Sequence, residues 1–187
     1  KVMPTEAHLK KNGEIVDATV QRNQTTTSQV MLQDIMATAV SLSGQHRTLT
    51  LGDQTLRNDC SGFIQGVFLH HGIDLVVGTE DVPYNPNGGI AYIIYHLCQA
   101  RGWVHEDTPQ PGDLVFFDNT YDRNRNGEYD DYLVHIGMVL SVDESGNITF
   151  IHNLNRRVGV VHHQMNLSHP HNSSLNSAIG NRSAYNL

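Results

Sequence analysis

Long apolar runs are missing from this sequence of 187 residues. Its most apolar stretches, 62–70 and 114–117, fall far short of the roughly 20 residues a helix needs to cross a bilayer, so no transmembrane segment is expected. Clusters of Lys and Arg are missing too, and the formal net charge is -7. A nucleic-acid partner would leave a basic stripe as its electrostatic footprint, so none is expected. The acidic balance points instead to a cationic or neutral substrate. Cysteine is scarce: Cys60 and Cys98 are too few for a disulfide framework, though enough for one bridge. The chain contains no HExxH-like helix and no Cys/His set with structural-zinc spacing. The histidines at 70–71, 162–163, 169 and 171 therefore read as surface groups. No internal repeat stands out. The first residues, Lys1-Val2-Met3-Pro4-Thr5, are neither an initiator methionine nor a signal peptide. They read as a mature or trimmed end from which a targeting segment has gone.

Histidine, in contrast, is abundant. Twelve His stand against twelve Lys plus Arg, so the net charge climbs steeply as pH drops towards 6. The length suits one compact domain with a full hydrophobic core. Residues 1–27 are polar and read as an N-terminal arm or a pair of short strands, leaving 28–187 as the globular domain. From Ser28 onward, Val30, Met31, Ile35, Met36, Ala39, Val40 and Leu42 recur at three- and four-residue steps, which predicts an amphipathic helix. Thr27 or Ser28 serves as its cap and Gly44 as its stop. A polar loop then runs to Asn58. Phe63, Ile64, Val67 and Phe68 predict a second helix that ends at Gly72, and residues 90–101 a third.

The second half changes period. Pro111-Gly112-Asp113 is a turn into the apolar strand 114–117. Residues 134–142 and 148–152, joined by the Ser145-Gly146-Asn147 turn, form a hairpin, and 158–162 add a further strand. Helices first and antiparallel strands after make an α+β arrangement.

Cys60 falls at the start of the second helix. There the positive end of the helix dipole and unpaired backbone N–H groups stabilise a thiolate, and the same N–H groups can hold the oxyanion of a tetrahedral intermediate. Asp59 and Ser61 flank it as candidate oxyanion or substrate residues, and Gly62 keeps the approach open. A nucleophile needs a base, and His135 is the lone imidazole in an apolar strand. Gly137, on the same face, leaves room beside it. A third group must fix the tautomer of that base, and His152 lies across the hairpin. Asn153 is a fallback, but strand alternation turns it the other way.

The ordered blocks Asp59-Cys60-Ser61-Gly62-Phe63-Ile64, Pro111-Gly112-Asp113-Leu114-Val115-Phe116-Phe117, His135-Ile136-Gly137-Met138-Val139 and Phe150-Ile151-His152 resemble the NlpC/P60 family of papain-like cysteine peptidases. The resemblance covers roughly residues 28–161. It implies a papain-like fold with N-terminal helices on a central antiparallel sheet. It also implies Cys60 as nucleophile, His135 as base, His152 as third polar residue, and peptide stems of bacterial peptidoglycan as substrate. A periplasmic or secreted location follows from that substrate. The family's Tyr shortly before the Cys has no counterpart in residues 49–58; Tyr84, after the Cys helix, is the candidate substitute. Acyl transfer by the same Cys–His pair, and a non-catalytic calcium-dependent binding module with Cys60 paired to Cys98, are the alternatives. The sequence names no inhibitor or immunity protein.

Asp122-Arg123-Asn124-Arg125-Asn126-Gly127-Glu128-Tyr129-Asp130-Asp131 matches the first half of an EF-hand-type loop, with oxygen side chains at positions one, three and five and then a Gly. Asp122, Asn124, Asn126, the Glu128 carbonyl and Asp130 are the expected ligands of a structural calcium. Position twelve is Leu133, so Asp131 would have to supply the last carboxylate. No cofactor is expected for catalysis.

Overall fold

The computed structural model describes residues 2–3 and 18–180. Its elements are β1 (Val2–Met3), α1 (Ala18–Ser41), β2 (Leu49–Leu51), β3 (Gln54–Leu56), α2 (Cys60–His70), α3 (Ile90–Ala100), β4 (Leu114–Phe117), β5 (His135–Val142), β6 (Asn147–Asn153) and β7 (Val160–Asn166). A five-stranded antiparallel sheet has the order β1-β4-β5-β6-β7, and β2 and β3 form a separate two-stranded ribbon. Helices precede all but the first strand of the main sheet, so the fold is α+β.

Both faces of the sheet are covered, which explains why all four residues of β4 are buried and read as one apolar run. Leu114, Phe116, Ile136, Met138, Ile151 and Val160 point to the helices, where they meet Ile35, Ala39 and Leu42 of α1 and Phe63, Ile64 and Val67 of α2. Val115, Phe117, Val139, Ile148, Phe150 and Met165 point the other way and are closed over by Ile179 from the C-terminal segment. In α1 the expected apolar stripe narrows to Ile35, Ala39 and Leu42, at helical spacing, while Val30, Met31 and Val40 are exposed. The helix also begins at Ala18 rather than at Thr27 or Ser28. The Gln/Thr run, polar and rich in β-branched residues, gave no periodicity by which to see that extension.

The β2–β3 ribbon was hidden in what the sequence presents as a polar loop. Its strands are three residues each and mostly exposed, so alternation had nothing to show. Its placement matters, because it packs on α2 where glycines remove side chains. A Cβ at Gly66 would stand 2.6 Å from Leu56 Cδ1, and one at Gly62 would collide with the backbone carbonyl of Arg57. The Pro111-Gly112-Asp113 turn is similarly tight. Gly112 has φ +94 and lies against Leu32, while the buried Asp113 carboxylate accepts from the Gln110 N–H at 2.7 Å.

Because the obstacle at Gly62 is backbone and not the end of a flexible side chain, Gly62→Ala is expected to destabilise the protein by about 2–4 kcal/mol. Urea unfolding against wild type checks this; a difference below about 0.5 kcal/mol would show that the segment before α2 moves freely.

Candidate active site

Helix α2 starts where β5 and β6 part. Their pairing runs from Val142 and Ile148 back to Met138 and Ile151, and the first residues of α2 touch both strands beyond that point. On one side the Cys60 thiol donates to the Val134 carbonyl at 4.0 Å. On the other, Asn153 Nδ2 donates to Asn58 Oδ1 at 2.7 Å. Asn153 thus faces away from His152, as alternation requires, and ties β6 to the residues leading into the helix.

Asp59 is the N-cap. Its backbone is extended, and Oδ1 accepts from the Gly62 N–H at 2.8 Å and the Ser61 hydroxyl at 2.9 Å. Arg57 Nε donates to Oδ2 at 2.6 Å, and Arg57 Nη2 reaches Ser61 Oγ at 2.7 Å. Burial opposes the charge on Asp59, but these donors outweigh it and hold the carboxyl below the usual carboxylate range. Asp59 and Ser61 therefore set the start of the helix, and the Gly62 N–H is already occupied.

His135 and His152 lie on the sheet face of Phe117 and Phe150, in contact with those rings. Both are buried. His135 Nε2 and His152 Nδ1 share a hydrogen bond of 2.6 Å, which leaves Nδ1 of His135 as the nitrogen available to a reacting group. Gly137 makes this pairing fit: a Cβ there would stand 3.0 Å from the Phe150 ring and 3.3 Å from His152 Cβ. A third ring follows, since His152 Nε2 and His163 Nδ1 are 3.1 Å apart. Nothing in the order of residues points to such a place for His163. Only the β6–β7 register, with His152 opposite Val161, puts the two histidines on one face two residues out of step.

Cys60 and His135 open onto one cavity of about 930 Å³, which Asn58, Asp59, Thr120 and Tyr121 also line. The cavity wall carries Arg47, Arg57 and Arg156 against the single carboxylate of Asp59, and Asp59 is already paired with Arg57. Arg47 and Arg156 stand side by side, joined by a backbone hydrogen bond of 2.8 Å. The local field is therefore positive. That local balance differs from the net charge of -7 spread over the whole chain. Tyr84 is 91 % exposed and is not among the residues that line the cavity.

Burial shifts both members of the pair. Burial pushes the Cys60 thiol up to about 11, with the N–H of Ile136 pulling it down and Asp59 adding to the rise. Burial pulls His135 down to about 4, helped by His163. Burial takes His152 well below its usual range and lowers His163 as well. Burial thus works against charge on each of these groups, and the helix start offsets it only in part for Cys60.

Cys60 and Cys98 are both free thiols, and Cys98 is buried in α3; the bridge invoked for a binding module is not formed. In the acidic loop, the oxygens expected to meet calcium meet one another's backbone. Asp122 accepts from the N–H groups of Asn126 and Gly127, Asn126 Oδ1 accepts from the Glu128 N–H, and the amides of Asn124 and Asn126 donate to Asp130. Asp131 is buried, with its N–H on Asn119 Oδ1. Among the described residues, no group of three or more His, Cys, Asp or Glu is placed to hold a metal ion.

Helices packed against an antiparallel sheet, with a cysteine at a helix start and histidines on neighbouring strands, make a papain-like α+β fold. The sequence matches the NlpC/P60 family over residues 41–176, and the chain belongs to that family. Among solved structures it is similar to a protein of Staphylococcus aureus subsp. aureus Mu50 described as similar to lipoprotein, NLP/P60 family. The identity is 22% and the TM-score 0.39, with 81% of this chain and 39% of that chain covered. No curated protein matches.

The buried histidines predict a pH-dependent stability. The folded state keeps His135 neutral down to about pH 4, whereas the unfolded chain protonates it near 6.5. Between those values the unfolded state binds more protons, so stability is full above about pH 6.5 and is lost as pH falls towards 4. His135 alone contributes on the order of 2–4 kcal/mol to that loss. Urea denaturation at steps between pH 7.5 and 4.5 should show the decline, and His135→Leu should flatten it. An unchanged midpoint across the range would mean that the imidazoles titrate freely.

Proposed function

We propose that this protein hydrolyses an amide bond in the peptide stems of bacterial peptidoglycan, with Cys60 as nucleophile, His135 as base and His152 as the group that orients the base. The observation that carries this reading is that Cys60 and His135 open onto one cavity while His152 occupies the far nitrogen of His135. Family membership supports cell-wall peptidase-like chemistry in general.

In the reaction, Cys60 Sγ attacks the amide carbonyl carbon as its proton passes to Nδ1 of His135, and the carbonyl oxygen takes up the negative charge. The backbone N–H of Cys60, at the first helical position, is the nearest donor for that oxygen. Collapse of the intermediate breaks the C–N bond, with the His135 proton going to the leaving amine. Water then attacks the thioester, again giving its proton to His135, and the thiol is restored as the carboxylic acid departs. Because both partners start neutral, the proton moves during attack, and no ion pair has to be kept in a buried site.

The arginine-lined wall suits a substrate that bears carboxylates, as stem peptides do. The bond between D-glutamate and the diamino acid is the proposed point of cleavage, since a γ-linked glutamate leaves a free carboxylate beside it. Peptidoglycan lies outside the cytoplasmic membrane, so the proposed site of action is periplasmic or secreted. No helix among the described residues is long and apolar enough to cross a membrane.

Incubation of purified peptidoglycan with wild type and Cys60→Ala, followed by mass analysis of soluble fragments, tests the assignment. Wild type should release peptides with new amino termini, and the variant should release none. Matching release from the two would remove Cys60 from the chemistry. Arg47→Gln combined with Arg156→Gln should raise KM about 3–10-fold for a peptide with a free carboxylate and leave its kcat unchanged. The same change with an amidated peptide would show that the arginines do not read the carboxylate.

A further inference from the structure

His152 is fully buried, and both of its ring nitrogens are engaged. Nδ1 is 2.6 Å from His135 Nε2, and Nε2 is 3.1 Å from His163 Nδ1. A neutral imidazole has one N–H and one bare nitrogen. Burial keeps His152 neutral, so it must donate through one of these contacts and accept through the other. Either choice runs through all three rings. If His152 donates from Nε2 to His163, its Nδ1 accepts from His135, which then carries its proton on Nε2 and presents a bare Nδ1. If His152 donates from Nδ1, His135 must accept on Nε2 and carry its proton on Nδ1, where it cannot take one from a thiol. The tautomers of the first and third rings are locked together through the second.

We propose that His163 is a positioning residue for the site: by accepting the Nε2 proton of His152 on its own Nδ1, it sets the hydrogen-bond direction that leaves Nδ1 of His135 free to act as a base. His163 lies on β7, which pairs with β6, and its ring is in contact with Phe150 and His152. It is only half-buried, so its Nε2 proton can be held by solvent while its Nδ1 faces inward. The adjacent His162 points to the opposite face and meets Ser43 Oγ at 2.9 Å, so it cannot replace its neighbour. This assignment rests on the proposed base role of His135, but the orientation of the chain is a physical property that can be read without turnover.

The test uses the full chain as wild type, His163→Leu and His163→Gln, with ¹⁵N-labelled histidine. Leu keeps an apolar contact with Phe150 and removes the acceptor; Gln restores one. NMR at pH 7.5 should find the His135 proton on Nε2 in wild type and in His163→Gln, and a mixture of tautomers in His163→Leu. In peptide hydrolysis, His163→Leu should lose about fivefold in kcat with KM unchanged, the size of one net hydrogen bond, and His163→Gln should return to within about twofold of wild type. The same His135 tautomer in all three proteins would overturn the proposal, as would a proton on Nδ1 in wild type. A wild type that hydrolyses nothing would remove the functional reading while the tautomer comparison still decided the role of His163.

Discussion

The structure turns on one constraint: a fully buried, neutral imidazole whose two nitrogens both have partners. His152 satisfies that constraint with histidines on the strands to either side, each two residues out of step with it. β5 brings His135, β6 holds His152, and β7 brings His163. Burial lowers the proton affinity of all three rings, so the chain is made of neutral hydrogen bonds. A carboxylate in the middle position would orient His135 more strongly, but it would have to be buried as a charge. A neutral ring avoids that cost and instead needs a third partner.

The nucleophile is placed by a second device. α2 begins beside the start of β5 and the end of β6, so Cys60 rests against the Val134 carbonyl just before β5 and Asn58 is tied to β6 through Asn153. Asp59 closes the helix start and engages Arg57. Gly62 and Gly66 let the β2–β3 ribbon and the residue after it lie directly on the helix. The cap, the two glycines and the asparagine pair all fix the height at which the sulfur meets the strand. The same local packing removes water from the sulfur and pushes its ionisation up, in spite of the helix start beneath it.

Much of this was legible from residue order. β4 was plain because four successive apolar residues can only be buried on both faces, and the hairpin of β5 and β6 because period-two patterning met a Ser-Gly-Asn turn. Cys60, His135 and His152 stood out by position: a helix start, an apolar strand, and the strand across the turn. What stayed hidden depended on pairings that sequence does not encode locally. His163 looks like a surface histidine until β7 is registered on β6. Arg47 and Arg156 are far apart in the chain and meet only when the loop before β2 lies beside the one before β7. The net charge gave no sign of that wall, since it averages over the whole surface. The early start of α1 was missed because a Gln/Thr run bears no helical stripe, and in the acidic loop Asp122 and Asn126 accept from the loop's own N–H groups, which the spacing alone does not reveal.

In the proposed reaction Cys60 gives up its proton only in the act of attack, to a neutral His135. The rate of Cys60 alkylation by iodoacetamide as a function of pH tests it most directly, with Cys98→Ala removing the second thiol. The predicted profile is slow at pH 7 and still rising beyond pH 9, without an early plateau, because the thiol ionises only near 11. Fast alkylation already level between pH 5 and 7 would reveal a resident thiolate–imidazolium pair and contradict it.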